Sequence, residues 1–135
     1  MAGYSGTPLL KKIGIKSGHR VVLVNMPRGF REELGPLPDG AQVVKDGEAV
    51  DVILLFAKNQ EALLTGLPAF KPKLAQAGML WAAWPKRASG VATDLAEGLV
   101  RRVGLSQGLV DIKVCAINDI WSGLKFVIPV KDRKQ

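Results

Sequence analysis

The densest run of side chains able to do chemistry is Lys86-Arg87-Ala88-Ser89-Gly90, followed by Thr93 and Asp94. Cations, hydroxyls and a glycine on one loop suit capture of an anion. If the loop leaves a strand and opens a helix, free backbone N–H groups and the helix dipole add to that attraction. The simpler reading of the same residues is an ordinary helix start, with Ser89 or Thr93 as cap and Asp94 in the first turn. Ser5-Gly6-Thr7-Pro8 poses the same choice at a second helix start: a segment closing a crevice over the strand ends, or a cap on a packing helix. Arg28 and Lys45 fall near the ends of the first two strands and add positive charge there.

Other reactive side chains are isolated. Asp111, Lys113 and Cys115 alternate, which predicts one strand face and an Asp111–Lys113 pair. Cys115 lacks a base close in sequence, so it reads as a buried structural thiol rather than a nucleophile. His19 is the single histidine, and no Cys, His and carboxylate spacing matches a metal site. Trp81 and Trp84 must point to opposite sheet faces, and packing at the core or an edge is the expected role of each, with the one nearer the strand end lining the crevice as the alternative. Trp121 reads as packing at the core or an edge, with contact to a partner as the alternative. Neither G-x-x-x-x-G-K-[ST] nor G-x-G-x-x-G occurs after a strand.

Strand and helix signals alternate along the chain, which predicts a mostly parallel α/β sheet with helices on both faces. A short helix starts at Thr7-Pro8 and stops at Gly14. Arg20–Met26 and Asp51–Ala57 are continuous apolar runs, the mark of buried parallel strands. Phe30–Leu34 gives one helical turn, and Ala41–Lys45 a short second strand. Asn59 caps a helix that should break or restart at Pro68. Met79–Trp84 is the next strand. Val91–Val103 has amphipathic helical spacing, with Glu97 and Arg101 one turn apart and Gly104 as its stop. Leu109–Ile117 and Leu124–Val130 close the chain as an antiparallel hairpin.

The length of 135 residues suits one α/β domain (1–135, with a helical segment over 1–14 and a basic tail over 131–135), and the single cysteine fits a reducing, cytoplasmic setting. No apolar run reaches the ~20 residues of a membrane-spanning helix. The net charge of +7 favours anionic partners: a phosphorylated small molecule, an acidic protein or nucleic acid. The basic residues are scattered along the sequence, which reads as a solvated surface more simply than as a nucleic-acid patch.

Two resemblances follow from these residues. The phrases Ser5-Gly6-Thr7-Pro8-Leu9, the run from Trp84 to Leu95 (WPKRASGVATDL), Val110 to Ala116 (VDIKVCA) and Trp121 to Leu124 (WSGL) resemble a family of small, mostly bacterial proteins of unknown function. More distantly, Gly14 to Val21, the DVILLFA strand, Gly78 leading into LWAAWP and the closing hairpin resemble class I S-adenosylmethionine-dependent methyltransferases. That likeness implies a three-layer, Rossmann-like sheet in the order 2-1-3-4-6-5, with a strand and a helix of the full fold missing. It also implies a glycine-rich turn after the first strand and an acid near the end of the second. The first turn here is Asn25-Met26-Pro27-Arg28-Gly29-Phe30, and the second strand ends in Lys45-Asp46. Three functions are compatible with the chain. One is a non-enzymatic binding domain with a basic crevice for an anionic ligand. The second is an enzyme with a degenerate S-adenosylmethionine or nucleotide site, in which Asp46 meets the ribose. The third is a nucleic-acid binder acting through charge alone. No cofactor follows from the sequence itself.

Overall fold

A computed structural model of the protein describes residues 8–134. Six strands form one sheet in the order β2-β1-β3-β4-β6-β5. They are β1 (Arg20–Val24), β2 (Gln42–Val43), β3 (Val50–Phe56), β4 (Leu74–Pro85), β5 (Val110–Ala116) and β6 (Trp121–Val127). Strands β1 to β4 run parallel, and β6 is antiparallel to both β4 and β5. The order agrees with that implied by the methyltransferase likeness. Helices α1 (Leu9–Ile13) and α2 (Phe30–Leu34) cover one face, α3 (Gln60–Phe70) and α4 (Glu97–Ser106) the other.

Because β3 and β4 are covered on both sides, their side chains split between two cores. Ile53, Leu55, Leu80 and Ala82 join Leu63, Leu67, Val100 and Val103 beneath α3 and α4. Val52, Leu54, Phe56 and Trp81 join Ile13, Phe30 and Leu34 beneath α1 and α2. This is why both strands read as unbroken apolar runs rather than alternating ones. Trp81 and Trp84 do lie in opposite cores.

Several boundaries differ from the sequence reading. Helix α3 runs through Pro68 and ends two residues later, at Phe70. Leu64, whose carbonyl loses its donor there, is exposed, so water can take the bond. Strand β4 begins at Leu74, five residues early, with a bulge opposite Val50–Val52. Gly78 is part of that bulge, where an added Cβ would lie 2.9 Å from the Asp51 carbonyl oxygen. Helix α4 begins at Glu97, not Val91. The chain before it is extended at Ala96, and the Asp94 carboxylate accepts from the Gln60 N–H, capping α3 instead. The link from β2 to β3 is Val44 to Ala49, too short for a helix, so the thinning of this edge is visible directly.

The alternation through Asp111, Lys113 and Cys115 is broken by a second bulge, between Asp111 and Lys113. Asp111 pairs with Phe126 and turns to the α4 face, while Lys113 pairs with Lys125 on the other. The predicted Asp111–Lys113 pair therefore does not form. Asp111 instead accepts from Arg101 Nε at 2.8 Å, and Arg101 also reaches Glu97 at 2.8 Å. The hydrogen bond from Arg101 holds the Asp111 carboxyl below its ordinary value. A depressed carboxyl pKa contributes stability above the unfolded value and loses it as pH falls through the folded one. Asp111→Asn is thus expected to lower the melting temperature at neutral pH. The gap should close as pH drops below the ordinary Asp value of about 3.9. A gap that persists in acid would assign the effect to packing rather than charge.

Candidate functional site

The carboxyl ends of β1 and β3 open into a cleft of about 390 Å³, lined by Asn25, Met26, Pro27, Arg28, Phe56, Lys58, Ala62 and Trp121. In open α/β sheets this is where ligands bind. Sequence builds it locally in three steps. Asn25 leaves β1 with φ of 57°, in the left-handed region that asparagine tolerates better than most residues. That turn sends Pro27 and Arg28 across the strand end before Gly29 starts α2. Lys58 lies two residues past the end of β3, and the Asn59 side chain accepts from the Ala62 N–H at 2.8 Å, fixing the start of α3 behind it.

The floor is aromatic. Phe56 meets Phe30 and Trp121 edge-on, with ring centroids 4.8 and 4.9 Å away. Trp121 is 4% exposed, so it is not a partner contact in a turn; it opens β6 opposite Pro85 and backs the cleft. Arg28 and Lys58 are the charged groups of the lining, and no carboxylate belongs to it among the described residues.

The other sequence candidates are distributed differently. Lys86 and Arg87 line a separate groove of about 260 Å³ with Trp84, Glu97 and Ser122, at the end of β4 on the α4 side. The loop hydroxyls there serve the loop itself. Ser89 Oγ donates to the Lys86 carbonyl and accepts from the Val91 N–H, and Thr93 Oγ1 accepts from the Leu95 N–H. Gly90 takes a left-handed turn with open space around it. This loop stops short of α4, so the helix-start geometry expected for an anion is not formed. Lys45 is exposed and lines neither pocket. Ser5 and Thr7 lie outside the described residues. His19 Nδ1 accepts from the Lys16 N–H, a turn contact.

Asp46 is also displaced from its expected role. Its carboxylate accepts from Lys73 Nζ and the Gly47 N–H, and the Lys73 bond holds its pKa down. Lys73 immediately precedes β4, whose first residue pairs with the first residue of β3. Asp46 therefore sits at the amino ends of the strands, opposite the cleft. Lys58 and Phe56 were missed from sequence, although a position just past a central strand is the available signal.

Comparison with solved structures fits this geometry. A SAM-dependent methyltransferase from Aquifex aeolicus superposes with a TM-score of 0.66 at 18% identity, covering 89% of this chain and 87% of its own. Fibrillarin from Aeropyrum pernix, solved with natively bound S-adenosyl-L-methionine, gives 0.59 at 15%, covering 89% and 72%. A TehB-like SAM-dependent methyltransferase from Corynebacterium glutamicum gives 0.55 at 12%, covering 89% and 85%. The sheet is of the methyltransferase type. No protein-family model matches the chain, and no curated protein does. No helix among the described residues is long and apolar enough to cross a membrane.

Proposed function

We propose that the cleft binds a small anionic ligand with a planar ring, of the nucleotide or phosphorylated-metabolite class, and that the protein is a binding domain on a methyltransferase-type sheet. The observation that carries this is the lining itself: Arg28 and Lys58 above an aromatic floor, with no carboxylate among the described residues. Cations at a partly enclosed site interact with phosphate more strongly than in bulk water. An aromatic wall accommodates a ring.

The residues fit S-adenosylmethionine poorly. A sulfonium cation would enter a cleft lined by two like charges. The acid expected for its ribose is tied to Lys73 at the far end of the sheet. Among the described residues no acid–base pair lines the cleft, which supports binding over catalysis. The second reading, a methyl-transfer enzyme with a degenerate cofactor turn, draws on the structural likeness and on the left-handed turn at Asn25. A cytoplasmic location agrees with the single cysteine.

The test is a thermal-shift panel at matched ionic strength, holding S-adenosylmethionine, S-adenosylhomocysteine, nucleotides, sugar phosphates and sulfate. A nucleotide or sugar phosphate at about 100 times its Kd should add about 2.7 kcal/mol. Arg28→Ala and Lys58→Ala should each weaken it roughly 10- to 100-fold, the worth of about 1.5–3 kcal/mol for a charged hydrogen bond. Stabilisation by the adenosyl sulfur compounds and not by phosphates would transfer the site to the second reading.

A further inference from the structure

Away from the cleft, the fold gathers lysines that lie far apart in sequence. Lys113 and Lys125 are directly opposed across β5 and β6. Lys125 Nζ lies beside the end of α1, 3.9 Å from where a Cβ on Gly14 would stand, and Lys12 and Lys16 flank that glycine in the chain. Burial, then Lys113 and Lys16, disfavour the charged form of Lys125. Burial raises the Cys115 thiol, and Lys113, Lys12 and Lys125 act against that rise, so these three lie near Cys115 while Lys16 lies near Lys125.

Among the described residues, no carboxylate forms an ion pair with any of these four lysines. Among the described residues, the lysine ammonium groups with a hydrogen-bond partner are Lys71 and Lys73, both elsewhere. Residues 1–7 contain no carboxylate. Like charges opposed across strands destabilise a sheet. The fold gains nothing from this arrangement, whereas a polyanion would.

We infer that the surface formed by Lys12, Lys16, Lys113 and Lys125 binds the phosphodiester backbone of a nucleic acid. The composition distinguishes this from an acidic protein. Protein interfaces favour arginine and aromatic residues and are depleted in lysine, and the charged groups of this patch are all lysines, beside Met79 and Cys115. Lysine meets phosphate as a point charge, without the forked geometry that fixes a carboxylate. No exposed aromatic side chain occurs among the described residues, so none of them offers a base-stacking platform beside the patch. Recognition is therefore of the backbone, without sequence preference. Lys125 is four residues along β6 from Trp121 on the same face, roughly 13 Å at strand rise. The inference does not rest on what the cleft holds.

The experiment is fluorescence anisotropy with a short, labelled, mixed-sequence single-stranded RNA, titrated from about 50 to about 200 mM salt. Four phosphate contacts at about 0.7 each predict a log–log slope of about −2.8, or roughly 50-fold weaker binding over that range. Lys113→Gln with Lys125→Gln should halve the slope to about −1.4, or roughly 7-fold over the same range. Removing the repulsion should leave the melting temperature unchanged or higher. Lys113→Gln alone, at an exposed position, keeps the test open if the pair fails to fold. Arg102→Gln with Lys131→Gln removes equal charge from exposed sites elsewhere and should leave the slope intact. An equal loss in that control would overturn the site in favour of diffuse net charge. Displacement of the RNA by polyglutamate at equal charge would overturn it in favour of an acidic protein. Absence of binding at the lowest salt would overturn it outright.

Discussion

Trp81→Ala should cost about 3–5 kcal/mol, the range for deleting a large buried aromatic. The residue is fully buried at the centre of β4, between Leu54 on β3 and Lys125 on β6. Its indole Nε1 donates to the Ile13 carbonyl at 2.9 Å, which joins the sheet to the last residue of α1. Removal therefore leaves a cavity and also an unpaired carbonyl at a helix end, itself worth about 1–3 kcal/mol if it stays buried. Against a total of about 5–15 kcal/mol for a domain, this approaches unfolding. Trp81→Phe separates the two effects, since it keeps most of the packing and loses the donor. Urea unfolding of wild type and both variants, followed by far-ultraviolet circular dichroism, is the measurement. If Trp81→Phe is silent, the hydrogen bond does not hold α1 in place, and the cost of Trp81→Ala is cavity alone.

The parts of the fold that were legible in the sequence are those with one dominant cause. An unbroken apolar run has few stable homes, so β1 and β3 were plain from Val21–Val24 and Val52–Phe56. Phe30–Leu34 and the Asn59 cap were equally local. The failures share a different origin: tertiary partners reassigned a local signal. Asp94 looks like a cap for the helix that follows it, yet its acceptor is taken by Gln60 of α3. Asp111 looks paired with Lys113, yet a bulge sends it to Arg101. Bulges add a residue without any compositional mark, and the side-chain alternation that sequence reasoning depends on reverses across them.

The leading sequence candidate, the Lys86–Asp94 loop, lies at a different groove from the cleft, and the sequence candidates share only Arg28 with the cleft lining. The strand ends and Arg28 could be named because the turn after β1 is short and its residues are distinctive. Lys58 could not, since a lysine after a strand is common. Lys86 and Arg87 follow β4 at Pro85 and line a neighbouring groove together with Trp84, whose side chain packs on the α4 side of the sheet. The lysine surface was invisible for a stronger reason. Lys12 and Lys125 are brought together by the crossing of α1 over a hairpin at the other end of the chain, and spacing along the sequence carries no trace of that.

Gly104→Ala should destabilise the protein by about 1–3 kcal/mol, although alanine is the better helix former. In sequence Gly104 marks the end of a helix; in the fold it lies inside α4, which continues to Ser106. Its hydrogen faces the Phe126 ring, and an added Cβ would stand 2.1 Å from Cε1 and 2.2 Å from Cζ. Phe126 is fully buried among Val100, Val103, Leu109 and Leu124, so the ring has no free volume to move into. Relief requires α4 to lift from β6, the strand that carries Trp121 into the cleft. Gly98, near the start of the same helix, is the internal comparison. Nothing lies within 4 Å of a Cβ there, so Gly98→Ala should gain up to about 1 kcal/mol from helix propensity alone. Opposite signs at the two glycines, read from urea midpoints, would establish that close approach of α4 to Phe126 sets this layer. Equal gains at both would mean that the helix is free to adjust and that Phe126 does not fix its height above the sheet. Pairing Gly104→Ala with Phe126→Leu should recover part of the loss, because the two residues share one volume and their effects cannot be additive.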